Sequence, residues 1–183
     1  MIISYAQNLE DIILNRIFKD VENGFYVDVG ACDPLYDSVT KLFYDKGWKG
    51  INIEPVPEAK KLFDLHRPRD INLNCAVGQT NCTLPLVIPE SAAESTLNSS
   101  YQGQLKSRYH QSKEVSVPVT TLTDIWRKHV KNQHVDFLKI DVEGFEKEVL
   151  LGCDFNIVTP DILIIEATIP NTPVLCCLLY SSD

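Results

Sequence analysis

Short apolar runs recur along the chain and predict its strands. They are rich in Val, Ile and Phe, and most of them end at a glycine, a proline or an acidic residue, as strands of a buried sheet do. The predicted strands cover residues 25–29, 50–54, 71–76, 83–88, 115–121, 135–140 and 161–165.

Helical spacing and helix-start signals lie between these runs. Ser4 and Gln7 have the Ser-x-x-Gln spacing of a capping box, and the apolar residues behind them predict an amphipathic helix to about residue 19. Those apolar residues are Leu9, Ile12, Ile13 and Ile17. Asp37 is the predicted N-cap of a helix that Gly47 ends. This helix and three further predicted helices cover residues 38–46, 57–66, 122–131 and 145–151.

The order of these elements predicts one α/β domain over residues 1–183, a length typical of a single domain. Strand–helix units joined by short turns favour an open, mostly parallel sheet with helices on both faces. Residues 89–113 are the one long irregular stretch, rich in Ser, Gln and Asn. A stretch of this length inside a compact domain is typical of a functional loop or lid.

Composition narrows the classes of partner. The chain has 25 acidic and 17 basic residues and a net charge of −8, with no basic cluster, so we expect neither nucleic acid nor an anionic membrane as a partner. No apolar run reaches the ~20 residues that span a bilayer. The first residues lack a signal-peptide pattern, and the six cysteines form no zinc-site spacing. These features predict a cytoplasmic protein.

Acidic residues stand at the carboxyl ends of the predicted strands. In open α/β sheets, ligands bind beyond these ends, at the point where the strand order reverses. Four of the five ends in the predicted sheet carry carboxylates, which is more than structure alone requires. The acids are Asp28, Glu54, Asp141 with Glu143, and Glu166.

The glycine pattern separates classes of cofactor. Gly30 is followed by Ala-Cys-Asp-Pro rather than by the further glycines of a dinucleotide-binding loop, which counts against NAD and FAD. Glu54 ends the second strand, where a carboxylate accepts hydrogen bonds from the two hydroxyls of a ribose. An adenosyl ligand that lacks a diphosphate is S-adenosylmethionine.

Each of these acids also has a structural interpretation, which the sequence leaves open. Asp28 fits a buried turn acid, Glu54 a strand terminator before a proline, and Asp141 an N-cap. Glu166 fits an acid that supports the site from behind. His110, in the long loop, is a lone histidine of the kind that is usually solvated, although a closing lid would bring it to the site.

Five segments occur in a fixed order: SYAQNLEDIIL, FYVDVGACDPLYDSVTKLFYDKGWKGINIEPVPE, INLNCAVG, VDFLKIDVEGFEKEVLLG and LIIEAT. Together they resemble the FkbM family of S-adenosylmethionine-dependent methyltransferases, with LKIDVEGFE as the most specific part. The resemblance covers roughly residues 2–170. It implies the class I methyltransferase (Rossmann-like) fold, an S-adenosylmethionine site, and O-methylation of a sugar or glycan hydroxyl.

The resemblance also implies which residues bind the cofactor. The positions at its methionine end are Asp28, Gly30, Ala31 and Ser38, with Ser38 at a helix N-terminus reaching the carboxylate. The positions at the ribose and adenine are Glu54, Pro55, Ala76 and Val77.

Asp141 and Glu143 are the candidate catalytic residues, facing the transferring methyl group. A sugar hydroxyl needs a base to take its proton, and we assign Asp141 as that base or as an anchor for the hydroxyl, with Glu143 orienting the acceptor. As an alternative, Asp141, Glu143 and Glu166 bind Mg²⁺, which would acidify the hydroxyl. The spacing does not require a metal.

The last residues depart from the family pattern, which has further strands after Glu166. We therefore expect a sheet truncated at the C-terminus, with residues 171–183 as an atypical tail. Residues 174–180 are continuously apolar, and we expect them to fold back over the open edge of the last strand or to pair with a second molecule.

A shortened sheet is also compatible with an alternative function, that of a protein that binds the cofactor with weak or no turnover. A nucleotide-dependent reductase is a third reading, disfavoured by the missing glycines.

Overall fold

The computed structural model describes residues 2–90, 94–109, 111–168 and 175–181. Its strands are β1 (Phe25–Val29), β2 (Lys49–Ile53), β3 (Ile71–Leu73), β4 (Ala76–Val77), β5 (Cys82–Pro89), β6 (Ser112–Thr120), β7 (Phe137–Ile140), β8 (Ile162–Thr168) and β9 (Leu175–Ser181). Six of them form the central sheet, in the order β3-β2-β1-β7-β8-β9. All neighbours are parallel except β8 and β9. The remaining three form a small second sheet, in the order β4-β6-β5.

The helices of the described residues are α1 (Glu10–Ile17), α2 (Lys41–Asp45), α3 (Pro57–His66), α4 (Ser99–Arg108), α5 (Leu122–Ile125), which continues as a π-helix over Trp126–Val130, and α6 (Glu146–Leu151). From β1 the strand order runs outward through β2 to β3, and then returns to β7 on the other side of β1. This reversal creates a crevice at the carboxyl ends of β1 and β7, the place where such sheets bind ligands. The predicted α/β fold of a class I methyltransferase is confirmed.

Both faces of the central sheet are covered, which explains the continuous apolar runs in its strands. On one face an aromatic cluster includes Tyr26, Trp48 and Phe137, all at most 1% exposed. On the other face an aliphatic cluster includes Val27 and Ile51. Successive residues of β1 therefore point into different cores, as the alternation of side chains along a strand requires. The two cores fix the sheet and hold its carboxyl edge in place.

The first helix begins later than its sequence predicts. Ser4 and Gln7 form no capping box, because the Ser4 hydroxyl donates to Asp11 Oδ1 at 2.7 Å and the Tyr5 N–H donates to Asp11 Oδ2 at 2.7 Å. Leu9 then adopts a left-handed conformation and α1 starts at Glu10. The buried carboxylate of Asp11 thus folds residues 4–9 into a loop.

The apolar spacing of α1 also predicts the wrong buried face of the helix. Leu9, Ile13 and Ile17 are each at least 44% exposed, whereas Leu14 is completely buried beside the aromatic cluster. Phe18, just after the helix, packs on Trp48 with ring centroids 5.7 Å apart. The large aromatic core sets the rotation of α1.

The second helix starts three residues later than predicted. Asp37 is not its N-cap but has a left-handed backbone with φ of 47°, and Thr40 precedes the first helical residue. Ser38 therefore lies outside the helix, where its N–H donates to the Tyr5 carbonyl at 2.9 Å. The loop after β1 is held against the N-terminal loop by this bond.

The long stretch at residues 89–113 is more ordered than predicted. Pro89 ends β5, Ser112 begins β6, and the ten-residue helix α4 lies between them. Asn98 caps this helix by accepting a hydrogen bond from the Ser100 N–H at 3.0 Å. The helix escaped prediction because it is almost entirely polar, although its Leu105 is buried. His110 lies outside the described residues.

One predicted strand is divided in two, and the apolar tail adds another strand. Residues 71–76 do not form one strand, because β3 ends at Leu73 and joins the central sheet while β4 begins at Ala76 and joins the small sheet. At the other end of the chain, β9 pairs antiparallel with β8, in a register that places Leu178 opposite Ile165. The fold-back of the apolar tail over this edge is confirmed. No helix of the described residues combines the length and the apolar character needed to cross a membrane.

Candidate active site

A cavity of about 500 Å³ opens at the carboxyl ends of β1, β2 and β7. Seven of the predicted site residues line it: Gly30, Glu54, Pro55, Ala76, Val77, Asp141 and Glu143. Asp28, Ala31 and Ser38 are not among the lining residues. Most of the residues predicted from the carboxyl ends of the strands, by what we call the strand-end rule, therefore lie at one cavity.

Glu54 lies deep in this cavity, 5% exposed, with its carboxylate held at both oxygens. Oε1 accepts a hydrogen bond from the Val56 N–H at 2.8 Å, and Oε2 accepts one from the Cys32 N–H at 2.9 Å. Each oxygen keeps a lone pair for a further donor. Burial raises the pKa of Glu54 to about 7, against the opposing effect of the two N–H donors. The carboxylate is thus oriented for a ligand that supplies two more donors.

Gly30 is required by a close approach of two chain segments. A Cβ atom there would lie 1.8 Å from the Asp141 carbonyl oxygen, and the residue has a φ of 75°. Only glycine fits both conditions. The turn after β1 can therefore lie directly against the turn after β7.

Asp28, Ala31 and Ser38 support the cavity wall from behind instead of lining it. Asp28 is 1% exposed and accepts a hydrogen bond from the Thr40 hydroxyl at 3.0 Å. Ala31 is 2% exposed. The Ser38 hydroxyl is 3.1 Å from Nη2 of the buried Arg67, which donates to it. Because Ser38 does not begin a helix, is 1% exposed and does not line the cavity, its predicted contact with a ligand carboxylate has no support in this geometry.

Lys139 connects the ends of β1 and β7. Its ammonium group lies 3.4 Å from Asp28 Oδ1 and 3.2 Å from Asp141 Oδ2, and it donates to the Gly30 carbonyl at 3.1 Å. Burial opposes the positive charge, but the two carboxylates outweigh it and hold the pKa of Lys139 above its ordinary value. The ammonium is therefore surrounded by two carboxylates and one carbonyl oxygen.

Asp141, Glu143 and Glu166 bring their carboxylates together, with oxygens within 4.8 Å of one another. Burial opposes ionisation of Asp141, but Lys139 and a hydrogen bond from Glu166 outweigh it and lower the pKa of Asp141. The bond to Asp141 and burial raise the pKa of Glu166 well above its ordinary value. At neutral pH the protonated form of Glu166 is therefore favoured, and it donates to Asp141.

Among the described residues, neither Glu143 nor Glu166 forms an ion pair with a basic side chain, and Glu143 is partly buried. Burial, then the charges of Asp141, Glu146 and Glu94, raise its pKa to about 7. Asp141 is not an N-cap, because α6 begins at Glu146, five residues later. Glu146 supports the turn after β7, since its Oε1 accepts the N–H groups of Val142 and Gly144 at 3.0 and 3.2 Å.

Several lining residues do not lie at strand ends, among them Gln7 and Asp37. Gln7 and Asp37 line the main cavity and also a smaller one of about 40 Å³ beside Lys139, Asp141 and Glu166. Gln7 belongs to the N-terminal loop, not to a strand end. Asp37 has a left-handed backbone, which places it against the cavity in a way that the sequence pattern does not predict.

The cavity lining is acidic, and it stays net negative although Glu166 is protonated. Seven carboxylates and one cation are among its described lining residues. The carboxylates belong to Asp33, Asp37, Glu54, Glu58, Asp141, Glu143 and Glu166, and the cation is Lys139. Such a lining attracts a cationic ligand and repels phosphates.

Similarity to known proteins agrees with this geometry. A family model described as "Methyltransferase FkbM domain" matches residues 28–173. The chain is 29% identical over 161 residues to "Methyltransferase sdnD" of Sordaria araneosa, covering 72% of this chain and 61% of that protein. It is 28% identical over 149 residues to "Methyltransferase 1" of Beauveria bassiana (strain ARSEF 2860), covering 73% of this chain and 59% of that protein.

The chain thus spans about three fifths of the length of these curated relatives. The family match covers most of the chain, and it includes every strand end that carries the carboxylates of the cavity. On this match, the chain belongs to the FkbM methyltransferase family.

Proposed function

We propose that this protein binds S-adenosylmethionine in the main cavity and transfers its methyl group to a hydroxyl of a sugar or glycan acceptor. The observation that carries the proposal is Glu54, a buried carboxylate whose two oxygens are fixed by backbone N–H groups and turned toward the cavity. A carboxylate in this setting accepts hydrogen bonds from the two hydroxyl groups of a ribose.

The charge of the cavity supports the same cofactor. S-adenosylmethionine carries a sulfonium and an ammonium, and seven carboxylates line the cavity. A dinucleotide needs donors for its pyrophosphate, but the charge of Lys139 is already paired with Asp28 and Asp141. This contrast favours an adenosyl sulfonium over NAD.

The lining residues suggest how the cofactor lies. Glu54 would bind the ribose, with Ala76 and Val77 beside the adenine. The amino-acid end would extend past Gly30 toward Gln7 and Asp37, where Asp37 offers an acceptor for the ammonium and Gln7 a donor for the carboxylate. Asp28, Ala31 and Ser38 would act indirectly, by holding Lys139 and the loop after β1.

The pKa values favour Glu143 over Asp141 as the base. Asp141 is bound to Lys139 and Glu166 and its pKa is lowered, so it is a poor proton acceptor. Glu143 has a pKa of about 7, which is matched to proton transfer near neutral pH. Of the two roles first assigned to Asp141, this proposal keeps that of the hydroxyl anchor, and it gives the role of base to Glu143.

Bound cofactor would supply a methyl group that its positive sulfur has already activated. As the acceptor oxygen bonds to the methyl carbon, the carbon–sulfur bond breaks and its electron pair stays on sulfur, while Glu143 takes the hydroxyl proton. Lys139 keeps Asp141 ionised and fixed, and the proton on Glu166 prevents a third negative charge beside it. The alignment of the acceptor with the carbon–sulfur bond is the main contribution that the protein makes.

A divalent cation at Asp141, Glu143 and Glu166 is the alternative within this function. The three carboxylates are close enough to share one. Lys139 already supplies positive charge there, so the proposal does not depend on a metal. Loss of turnover on chelation, with recovery on addition of Mg²⁺, would favour the alternative.

The test combines binding and transfer. Calorimetry with S-adenosylmethionine, its demethylated product and NAD should give micromolar affinity for the first two and none for NAD. Transfer of labelled methyl groups to a panel of sugars, nucleotide sugars and glycans should then identify the acceptor. NAD binding alone would overturn the proposal, and cofactor binding without transfer to any acceptor would support a binding module instead. The cytoplasmic location stays a prediction.

Gln7→Ala and Asp37→Asn should each weaken binding of the demethylated product by roughly three- to tenfold, the scale of one hydrogen bond. Neither should change binding of 5′-methylthioadenosine, which has the same adenosine and thioether but no amino-acid end. Calorimetry with both ligands measures this difference.

Two controls make this comparison specific. Glu54→Gln should weaken both ligands, because both carry the ribose, and Gln133→Ala, at an exposed glutamine that does not line the cavity, should weaken neither. Equal losses for the two ligands in the Gln7 and Asp37 variants would show that the amino-acid end lies elsewhere.

A further inference from the structure

The turn after β7 holds Glu143 in an unfavourable backbone conformation. Glu143 has a φ of 53° and the following Gly144 has a φ of 87°, so two successive residues are left-handed. A glycine adopts this region freely, but a glutamate does not. The conformation persists only if neighbouring contacts impose it.

Two side chains from another part of the chain make those contacts. The Thr96 hydroxyl donates to the Glu143 carbonyl at 2.8 Å, and the Asn98 amide donates to the Gly144 carbonyl at 2.6 Å. Both residues belong to the stretch between β5 and α4, which is distant from Glu143 in sequence. The carbonyl groups of both left-handed residues therefore accept hydrogen bonds from side chains outside the turn.

Thr96 and Asn98 are themselves fixed. Thr96 is 1% exposed and pairs with Val87 of β5 through two backbone hydrogen bonds of 3.2 Å. Its hydroxyl also accepts the Asn98 N–H at 3.0 Å. The Asn98 side chain uses its oxygen to cap α4 at Ser100 and its nitrogen to hold Gly144. A rigid connection thus runs from the small sheet and α4 to the turn that carries Glu143.

The residues that alternate with these two face the cavity. Ser95 and Leu97 line it, whereas Thr96 and Asn98 bond to the turn. Alternation of this kind is what an extended segment produces. One short segment therefore forms part of the cavity wall and also holds the candidate base.

We propose that Thr96 and Asn98 are positioning residues for Glu143. Residues 95–98 then determine both which acceptor fits the cavity and where the base lies. The inference rests on the proposed function, because it treats Glu143 as the base. Its structural part, the control of the Glu143 backbone, is independent of any cofactor or acceptor.

Matched substitutions separate the hydrogen bonds from the packing. Thr96→Val keeps the shape but removes the hydroxyl, and Thr96→Ser keeps the hydroxyl. Asn98→Asp keeps the oxygen that caps α4 but removes the amide donor to Gly144. In the free protein, the Cα and Cβ chemical shifts of Glu143 should move toward ordinary values in Thr96→Val and Asn98→Asp, and should stay unchanged in Thr96→Ser.

In the transfer assay, Thr96→Val and Asn98→Asp should lower kcat on the order of tenfold or more, because small misplacements of a reacting group are costly. Cofactor affinity should stay within about twofold, and Thr96→Ser should restore kcat. Unchanged chemical shifts in both donor-lacking variants would overturn the proposal, as would a Thr96→Ser protein as impaired as Thr96→Val. If the shifts move as expected but no cofactor binds, the proposed function fails and the positioning contacts stand.

Discussion

Glu143→Gln should lower the rate of methyl transfer by roughly a hundredfold or more while cofactor affinity stays within about twofold. Glutamine has the size of glutamate but cannot accept a proton, and loss of a general base costs about 10²–10⁴-fold. The expectation rests on the setting of Glu143, whose pKa burial and neighbouring acids raise to about 7 and which lines the cavity. Single-turnover measurement of labelled methyl transfer tests it.

The dependence of the rate on pH distinguishes Glu143 from Asp141. Because the base must be ionised, the wild-type rate should rise with pH through about 7, the pKa of Glu143. Asp141→Asn removes a negative charge that raises this pKa, so the midpoint should move to lower pH. Glu148→Gln changes an acid that does not line the cavity and should alter neither rate nor midpoint.

The opposite pattern would return the base to Asp141. If Glu143→Gln keeps its rate within about threefold while Asp141→Asn loses a hundredfold, Glu143 orients the acceptor and Asp141 takes the proton. Measuring both variants at saturating cofactor separates the chemical step from binding.

Glu54→Gln should weaken the binding of 5′-methylthioadenosine by about 1–3 kcal/mol, the scale of hydrogen bonds to a charged group. Two ribose hydroxyls would lose an ionised acceptor that is 5% exposed and already oriented by the Val56 and Cys32 N–H groups. This ligand is chosen because it has no amino-acid end, so the other acids of the cavity affect it less. Calorimetry measures the affinity.

The same group predicts how affinity depends on pH. Burial raises the pKa of Glu54 in the free protein to about 7, and donors from a ribose favour its ionised form. Affinity should therefore increase as pH rises through about 7 and level off above it. In Glu54→Gln, affinity should not change over this range. A wild-type affinity that does not vary with pH, or a variant that keeps the variation, would contradict the placement of the ribose at Glu54.

The stability of the free protein should change in the opposite direction. The folded pKa of Glu54 lies above its value in the unfolded chain, so the folded state binds more protons between these two values. The contribution of Glu54 to stability is therefore present at low pH and is lost as pH rises through about 7. Thermal denaturation of wild type and Glu54→Gln between pH 5 and 8 would show the difference.

The strand-end acids are the part of the site that the sequence predicted well. Glu54, Asp141 and Glu143 line one cavity because parallel strands all present their carboxyl ends at the same edge of the sheet. Once the apolar runs identify the strands, the residue that follows each run is placed at that edge without knowledge of the packing.

The loop and helix boundaries were predicted less well, since contacts from distant residues decided them. The capping box at Ser4 does not form because the Ser4 hydroxyl donates to the buried carboxylate of Asp11. Ser38 lies outside its predicted helix because Asp37, just before it, has a left-handed backbone. The polar helix α4 has little apolar periodicity, so its order depends on the Asn98 cap and on packing that the sequence does not display.

The sequence by itself determined the α/β sheet, the edge where the cavity opens and the acids that line it, because strand periodicity and strand ends are local properties of the chain. Only the tertiary structure decided what each acid can do. Lys139 lies against Asp141 and not against Glu143, and Thr96 reaches Glu143 from a separate part of the chain. Proton affinity depends on burial and on charges a few ångströms away, and those distances are set by packing between segments that are far apart in sequence.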